Sequence, residues 1–305
     1  MRPRQTASRV NVVKAQVEVA RSFFRLVWRD SLGRIGLVIL GCFLIIALCA
    51  PYVVPYDPME MIRKPGGSLA RLLPPSREHL FGTTDMARDL FSQVIMGTRV
   101  ALLVGLLAAV MVGAVGVTAG LVAGYYGGWI DNLLMRLVDM LYGIPLIPFV
   151  VILSALVRPS LGNMVLAMSL LSWRSVARVV RSQTLSVSQR PFVKAARVAG
   201  ASDFRIMFVH VAPNVLPVAL VEMSFIVGWA IVTEASVSFV GFGDPAVVSW
   251  GKILHQAFIT GAMRTAWWWV LPPGIAIVLL VISVFFLART LEELVNPRLR
   301  RQKQR

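Results

Sequence analysis

The 305 residues carry 31 lysines and arginines against 15 aspartates and glutamates, a formal charge of +16, yet 57% of them are hydrophobic. That pairing excludes a disordered polycation, which lacks apolar residues, and a soluble nucleic-acid binder, which would spread its basic side chains over a polar surface. Long uncharged apolar runs separated by short basic stretches identify an all-α polytopic membrane protein, since two soluble domains of this composition would expose far too much apolar surface.

Roughly 20 helical residues, each rising about 1.5 Å, cross a bilayer core about 30 Å thick. Ahead of the first such run, apolar Val13, Val17, Ala20, Phe24 and Val27 repeat at helical spacing between Val12 and Arg29, beside a stripe of Lys14, Glu18, Arg21, Arg25 and Arg29. This predicts an amphipathic helix, either lying on the inner leaflet or solvated beside the membrane. The first span runs from Gly36 to about Val54. The long, mostly polar segment before it and the lack of a small-residue cleavage site after Tyr52 mark a retained anchor and not a signal peptide. Cys42 and Cys49 both fall in this span, seven residues apart, too far to bond to each other; they read as small packing residues, with no disulfide or zinc cluster.

The second span lies within Val100 to Ile130. There Gly116, Gly120 and Gly124 recur every four residues, with Gly113 one turn earlier, leaving one face almost bare backbone that a neighbouring span or subunit can approach closely. The third runs from about Leu133 to Val157. Pro145 and Pro148 must break or kink it, and both a gate and a static bend fit. The fourth, about Leu161 to Val180, ends on Arg174, Arg178 and Arg181. The fifth, about Val215 to Val240, holds Glu222 and Glu234. An unpaired carboxylate there costs at least a few kcal/mol, so both must face protein or water. Twelve residues make about 3.3 turns, which puts the pair on roughly one side; a translocation path and a hydrogen-bonded structural role both fit. The sixth runs from Trp267 to Ala288 and opens with Trp267, Trp268 and Trp269, read as an interfacial aromatic belt.

Basic residues fix orientation, because cytoplasmic loops retain them. Residues 1–34 carry eight basic side chains against two acidic, Arg174 to Arg205 seven against one, and the tail from Arg289 six against two. Six spans put all three on one face. The chain therefore divides into a cytoplasmic segment over 1–34, a first span over 35–54, an extracytoplasmic loop over 55–98, a five-span core over 99–290 with an inside loop over about 185–213, and a basic tail over 291–305.

That inside loop reads PFVKAARVAGASDFRIMFVHVAPN from Pro191. Pro191 can open a short helix, and Gly200 can close it in the left-handed conformation. Ser202 or Asp203 can cap a second helix, which Pro213 is expected to end. Phe192, Ala195, Ala196, Val198, Ile206 and Phe208 would then face water, an exposed apolar surface suited to a soluble partner.

Ala195-Ala196, Gly200 and Pro213 resemble the Glu-Ala-Ala loop of the membrane subunits of type I ABC importers. Six further stretches resemble the same family in order: Leu80 to Asp85 with Arg88-Asp89, Ala123 to Asp131, Met135 to Asp139, Ala199 to Asp203 with Pro213-Asn214, Glu234 to Phe239, and Asn296 to Leu299. Together they are similar to the C-type permease of dipeptide, oligopeptide and nickel importers. The resemblance implies a coupling loop including Phe192, Lys194, Ala195, Ala196, Gly200, Ala201, Ser202, Asp203 and Phe204. It also implies a second permease of similar fold, two cytoplasmic ATPases that carry the ATP and magnesium, and an extracytoplasmic solute-binding protein, all around a chain set in membrane lipid with no cofactor of its own. Three departures stand out. Lys194 occupies the usual Glu position, Ala87 a usual Gly position, and Ala288-Arg289-Thr290 the usual Gly-Asp-Gly.

Two other classes compete. A stand-alone secondary transporter accounts for the spans and the buried carboxylates but not for the exposed loop, and no internal repeat is visible. A membrane-embedded enzyme would need clustered catalytic groups, whereas His79, His210 and His255 are scattered. Gly251-Lys252 forms no phosphate loop, because Ala246 stands where glycine is required and Ile253 where a hydroxyl is. Peptides are the expected cargo, with nickel or a glutathione-like solute behind them.

Overall fold

The computed structural model of the chain describes residues 27–295 apart from 29 and the Leu294 side chain. All but the end of the amphipathic stretch from Val12 to Arg29, most of the basic tail and the Asn296 to Leu299 fragment lie outside the described residues.

Capping side chains set the helix starts. Asp30 opens α1 (Ser31–Val53) by accepting from the Gly33 N–H at 3.0 Å, and Asp89 opens α2 (Leu90–Tyr126) by accepting from the Ser92 N–H at 2.8 Å. The third apolar run is not one helix. It is α3 (Gly128–Tyr142) and α4 (Leu146–Leu156), bent by 84°. Pro145 caps α4 and Pro148 sits in its first turn, where a missing N–H costs no helical bond. α5 (Leu161–Ser188) continues about two turns past the expected end near Val180 and carries Arg174, Arg178 and Arg181 within it.

α6 (Pro191–Val198) is followed by α7, a 40-residue helix over Asp203–Phe242 that kinks at Gly241, where φ is 103°. The expected stop at Pro213 does not occur. Over Ile206–Val211 the helix widens, and the Ala212 N–H reaches back to the Met207 carbonyl, carrying the chain into Pro213 without a break. A helix that the apolar runs did not reveal, α8 (Trp250–Ile259), precedes α9 (Trp267–Val295).

Among the described residues, α1, α2, α7 and α9 are each long and apolar enough to cross a membrane, and the bent pair, whose two arms are that apolar only together, is a broken span or a re-entrant loop. α5 has the length, 28 residues, but its three arginines make it less apolar. No strand forms among them; two isolated bridges, Arg63 to Leu69 and Thr83 to Asp89, brace the segment between α1 and α2.

α2 is the axis of the bundle, packed most closely on α5 and then α7, while α9 joins α7 to the peripheral α1. Three apolar clusters stack along it. One, at the α6 end, gathers Leu121, Val138, Val180, Val193, Ile206 and Val211; a middle one gathers Val104, Val150, Met164 and Leu171; the third, at the opposite end, gathers Leu90, Trp250, Ile253 and Trp269. Trp269 is fully buried there and only Trp267 of the triplet points clearly outward, so the expected aromatic belt is a single residue. Cys42 and Cys49 are exposed on α1 and free, not packed inside.

Candidate coupling site

Where α2 meets α5, glycine removes the side chain that would hold the helices apart. A Cβ on Gly116 would lie 2.7 Å from Val176 Cβ, on Gly120 2.6 Å from the Ala177 carbonyl oxygen, and on Gly124 2.7 Å from the Arg181 carbonyl oxygen. Gly113, slightly around the helix, faces Met223 of α7 instead. The partner of this face is thus within the chain.

Beyond Gly124, the positive φ angles of Gly127 and Gly128 (65° and 56°) turn the chain from α2 into α3. Asp131, in the first turn of α3, meets Arg181 of α5 with both carboxylate oxygens, Oδ2 lying 2.5 Å from Nη2. Two turns on, Asp139 pairs with Arg178 at 2.5 Å, the Arg174 Nη1 donates to the Leu141 carbonyl at 2.8 Å, and both Arg174 and Arg178 lie over the Tyr142 ring. The arginines at the end of the fourth span are therefore a ladder that fixes α3, the arm before the 84° bend, against α5.

The loop projects beside this ladder. Gly200 has φ of 80°, its N–H bonds the Arg197 carbonyl at 3.0 Å, and the Ala201 N–H bonds the Ala196 carbonyl at 3.1 Å, the paired pattern of a left-handed helix stop. Ser202 caps the next helix by accepting from the Arg205 N–H. Val193 and Ile206 point inward and are buried, which corrects the expectation that Ile206 faces water, and Ala196 and Ala201 are half-buried. Phe192, Lys194, Ala195, Ser202 and Asp203 are exposed, as are Val198 (90%) and Phe204 (69%), and Phe204 stacks 4.5 Å from Phe208. Sequence reasoning missed Val193, whose place one residue after the aromatic Phe192 gave no sign that it, and not its neighbour, turns inward.

Tyr125 also joins this site. Its hydroxyl donates to Asp203 Oδ1 at 2.6 Å and accepts from Arg197 Nη2 at 3.3 Å. That hydrogen bond is the main cause holding the Arg197 guanidinium above its ordinary pKa.

The two buried carboxylates do not share a site. Glu234 is 2% exposed and accepts from the Ser238 hydroxyl at 2.6 Å, close to α8. Glu222 is half-buried nearer the opposite end of α7, within electrostatic reach of Glu292 of α9. No group of His, Cys, Asp or Glu among the described residues could hold a metal ion. Lys252 donates to the carbonyls of Pro245 at 2.6 Å and Val247 at 3.0 Å, enclosed by its own loop. Burial pushes its ammonium below the ordinary lysine value, with Arg88 adding to the effect and Asp244 opposing it.

The departures acquire physical meaning here. Ala87 has φ of 58° and is buried, so its backbone takes the conformation for which glycine is suited. Thr290 is buried against α1, its hydroxyl 3.3 Å from Asp30 Oδ2.

A profile described as the binding-protein-dependent transport system inner membrane component matches residues 116–301, and one described as the N-terminal TM domain of oligopeptide transport permease C matches residues 20–75. Among curated proteins, the chain is 32% identical over 292 residues to the dipeptide transport system permease protein DppC of Bacillus subtilis, covering 95% of this chain and 89% of that one. It is 37% identical to a putative peptide transport system permease protein of Brucella suis, over 90% of each chain. It is 33% identical to the glutathione transport system permease protein GsiD of Pectobacterium atrosepticum, over 92% of this chain and 93% of that one. Carrying both the permease core and the N-terminal domain, the chain belongs to the binding-protein-dependent inner membrane components, the permease subunits of ABC importers.

Proposed function

We propose that this chain forms half of the translocation path of an ATP-driven peptide importer. A second permease supplies the other half, two cytoplasmic ATPases bind ATP and magnesium, and an extracytoplasmic protein delivers the solute. The observation that carries this reading is the α6–Gly200–α7 surface. Val193 and Ile206 anchor it from within, while Phe192, Val198, Phe204 and Phe208 present apolar groups to a soluble partner. Both termini and this loop lie in the cytoplasm, and residues 55–98 outside. The counts of basic residues support that orientation, although part of the charge on α5 is spent on Asp131 and Asp139.

Peptides are the preferred cargo because relatives named for dipeptide transport match nearly the full chain. The glutathione permease among the relatives supports a second reading, a short modified peptide. Proteoliposomes holding the chain with its partner permease, ATPases and binding protein should accumulate a labelled dipeptide only with ATP inside. The chain alone should accumulate none, and uptake by it on a proton or sodium gradient would establish a secondary transporter instead.

A further inference from the structure

Among the described residues, the side chains of the loop are hydrogen-bonded to the bundle at one point. Arg197 belongs to α6, before the Gly200 turn, and Asp203 opens α7, after it. The Tyr125 hydroxyl holds both, donating to Asp203 Oδ1 at 2.6 Å and accepting from Arg197 Nη2 at 3.3 Å, while the Arg197 guanidinium sits 5.8 Å from the Tyr125 ring centre. Among the described residues these hydrogen bonds join partners 78 and 72 positions apart, so they are not products of local helix geometry. A phenylalanine would fill the same space; only the hydroxyl, acting as donor and acceptor at once, can bridge the two arms.

Tyr125 lies at the end of α2 one residue after Gly124, where α2 touches the α5 backbone and no side chain cushions the contact. Across the glycine turn, Asp131 grips Arg181 of the same α5. The stretch from Tyr125 to Asp131 thus fastens the loop, α2, α3 and α5 to one another.

We propose that Tyr125 is a positioning residue that clamps the two arms of the loop and passes displacement of the loop to α2, so that ATP hydrolysis on a docked partner is converted into movement of the spans. The transmission half of this proposal rests on the importer reading above; the clamp itself does not. Two measurements therefore separate them.

Hydrogen exchange on the full chain in lipid nanodiscs tests the clamp. Tyr125→Phe should speed exchange of the amides over 191–205 several-fold, and Tyr126→Phe, one residue on, should not. Equal exchange in Tyr125→Phe and wild type overturns the clamp. Peptide uptake per ATP hydrolysed in the reconstituted importer tests transmission. Tyr125→Phe should lower this ratio several-fold, and Asp203→Ala, which removes the other partner, should add little when combined with it. An unchanged ratio, or losses that multiply in the double variant, overturns transmission through Tyr125. A wild-type complex that takes up no peptide would sink the importer reading while leaving the exchange result decisive for the clamp.

Discussion

Asp131 and Arg181, 50 residues apart in the chain, join α3 to α5 through a two-point contact, with Nη2 2.5 Å from Oδ2. Asp131 is nearly buried and Arg181 is partly exposed. Asp131→Asn keeps the shape but leaves the guanidinium without its counter-charge, at a cost of about 1 to 3 kcal/mol. A lower thermal midpoint of the detergent-solubilised protein should report it. Asp139→Asn, at a pair exposed on both sides, should cost well under about 1 kcal/mol.

The glycine face of α2 divides its substitutions sharply. Gly120→Ala places a methyl 2.6 Å from the Ala177 carbonyl oxygen, an atom that cannot rotate away, so α2 and α5 must separate. Gly41→Ala on α1 meets nothing within 4 Å and should stabilise its helix by roughly 0.5 to 1 kcal/mol. Thermal midpoints should move in opposite directions, and equal shifts would refute the packing argument.

Gly200 offers the reverse case, since a side chain there meets no atom within 4 Å and only φ of 80° resists it. Gly200→Asn, which tolerates the left-handed region, should retain peptide uptake. Gly200→Val should strain the turn by about 1 kcal/mol or more, weaken co-purification of the ATPases and abolish uptake. Lys194→Glu, at an exposed position, should leave both intact.

Glu234 is enclosed with Ser238, so its neutral isostere should serve nearly as well. Glu234→Gln is expected to preserve both expression and uptake. A folded variant that has lost uptake would place the carboxylate's charge on the transport path.

Ala87 balances two terms of similar size. Glycine would relieve its left-handed backbone by about 1 to 2 kcal/mol, but would lose a buried methyl worth about 0.8 kcal/mol and add unfolded-chain entropy. Ala87→Gly should therefore lie within about 1 kcal/mol of wild type, whereas Ala87→Val should destabilise strongly because a β-branched residue resists positive φ.

The spans were legible because apolar length is a direct consequence of bilayer thickness, and Gly200 because few other residues tolerate its turn. The glycine face announced close packing, but repetition alone could not choose between α5 and another subunit as its neighbour. Charge counting read Arg174, Arg178 and Arg181 as marks of the cytoplasmic side; the aspartates that Arg178 and Arg181 meet lie 39 and 50 positions away, and the Leu141 carbonyl that Arg174 meets lies 33 away, pairings that no local pattern encodes. Pro213 misled because proline stops an α-helix of ordinary register, and the widened turn before it restores continuity. Tyr125 falls within the Ala123 to Asp131 stretch, but nothing in one sequence joins a tyrosine at 125 to an aspartate at 203. α8 escaped because Trp250, Gly251 and Ile253 bury against the end of the bundle without forming a long apolar run.

From Asp203 to Val240, ahead of the kink at Gly241 (φ of 103°), α7 is a rod with one end in the loop and the other beside α8. Up to that kink it is about 57 Å long, so a tilt of about 5° pivoting at one end would swing the other by about 5 Å. A small tilt at the Phe204 end would therefore emerge beside α8 as a sideways stroke several times larger than the movement that caused it.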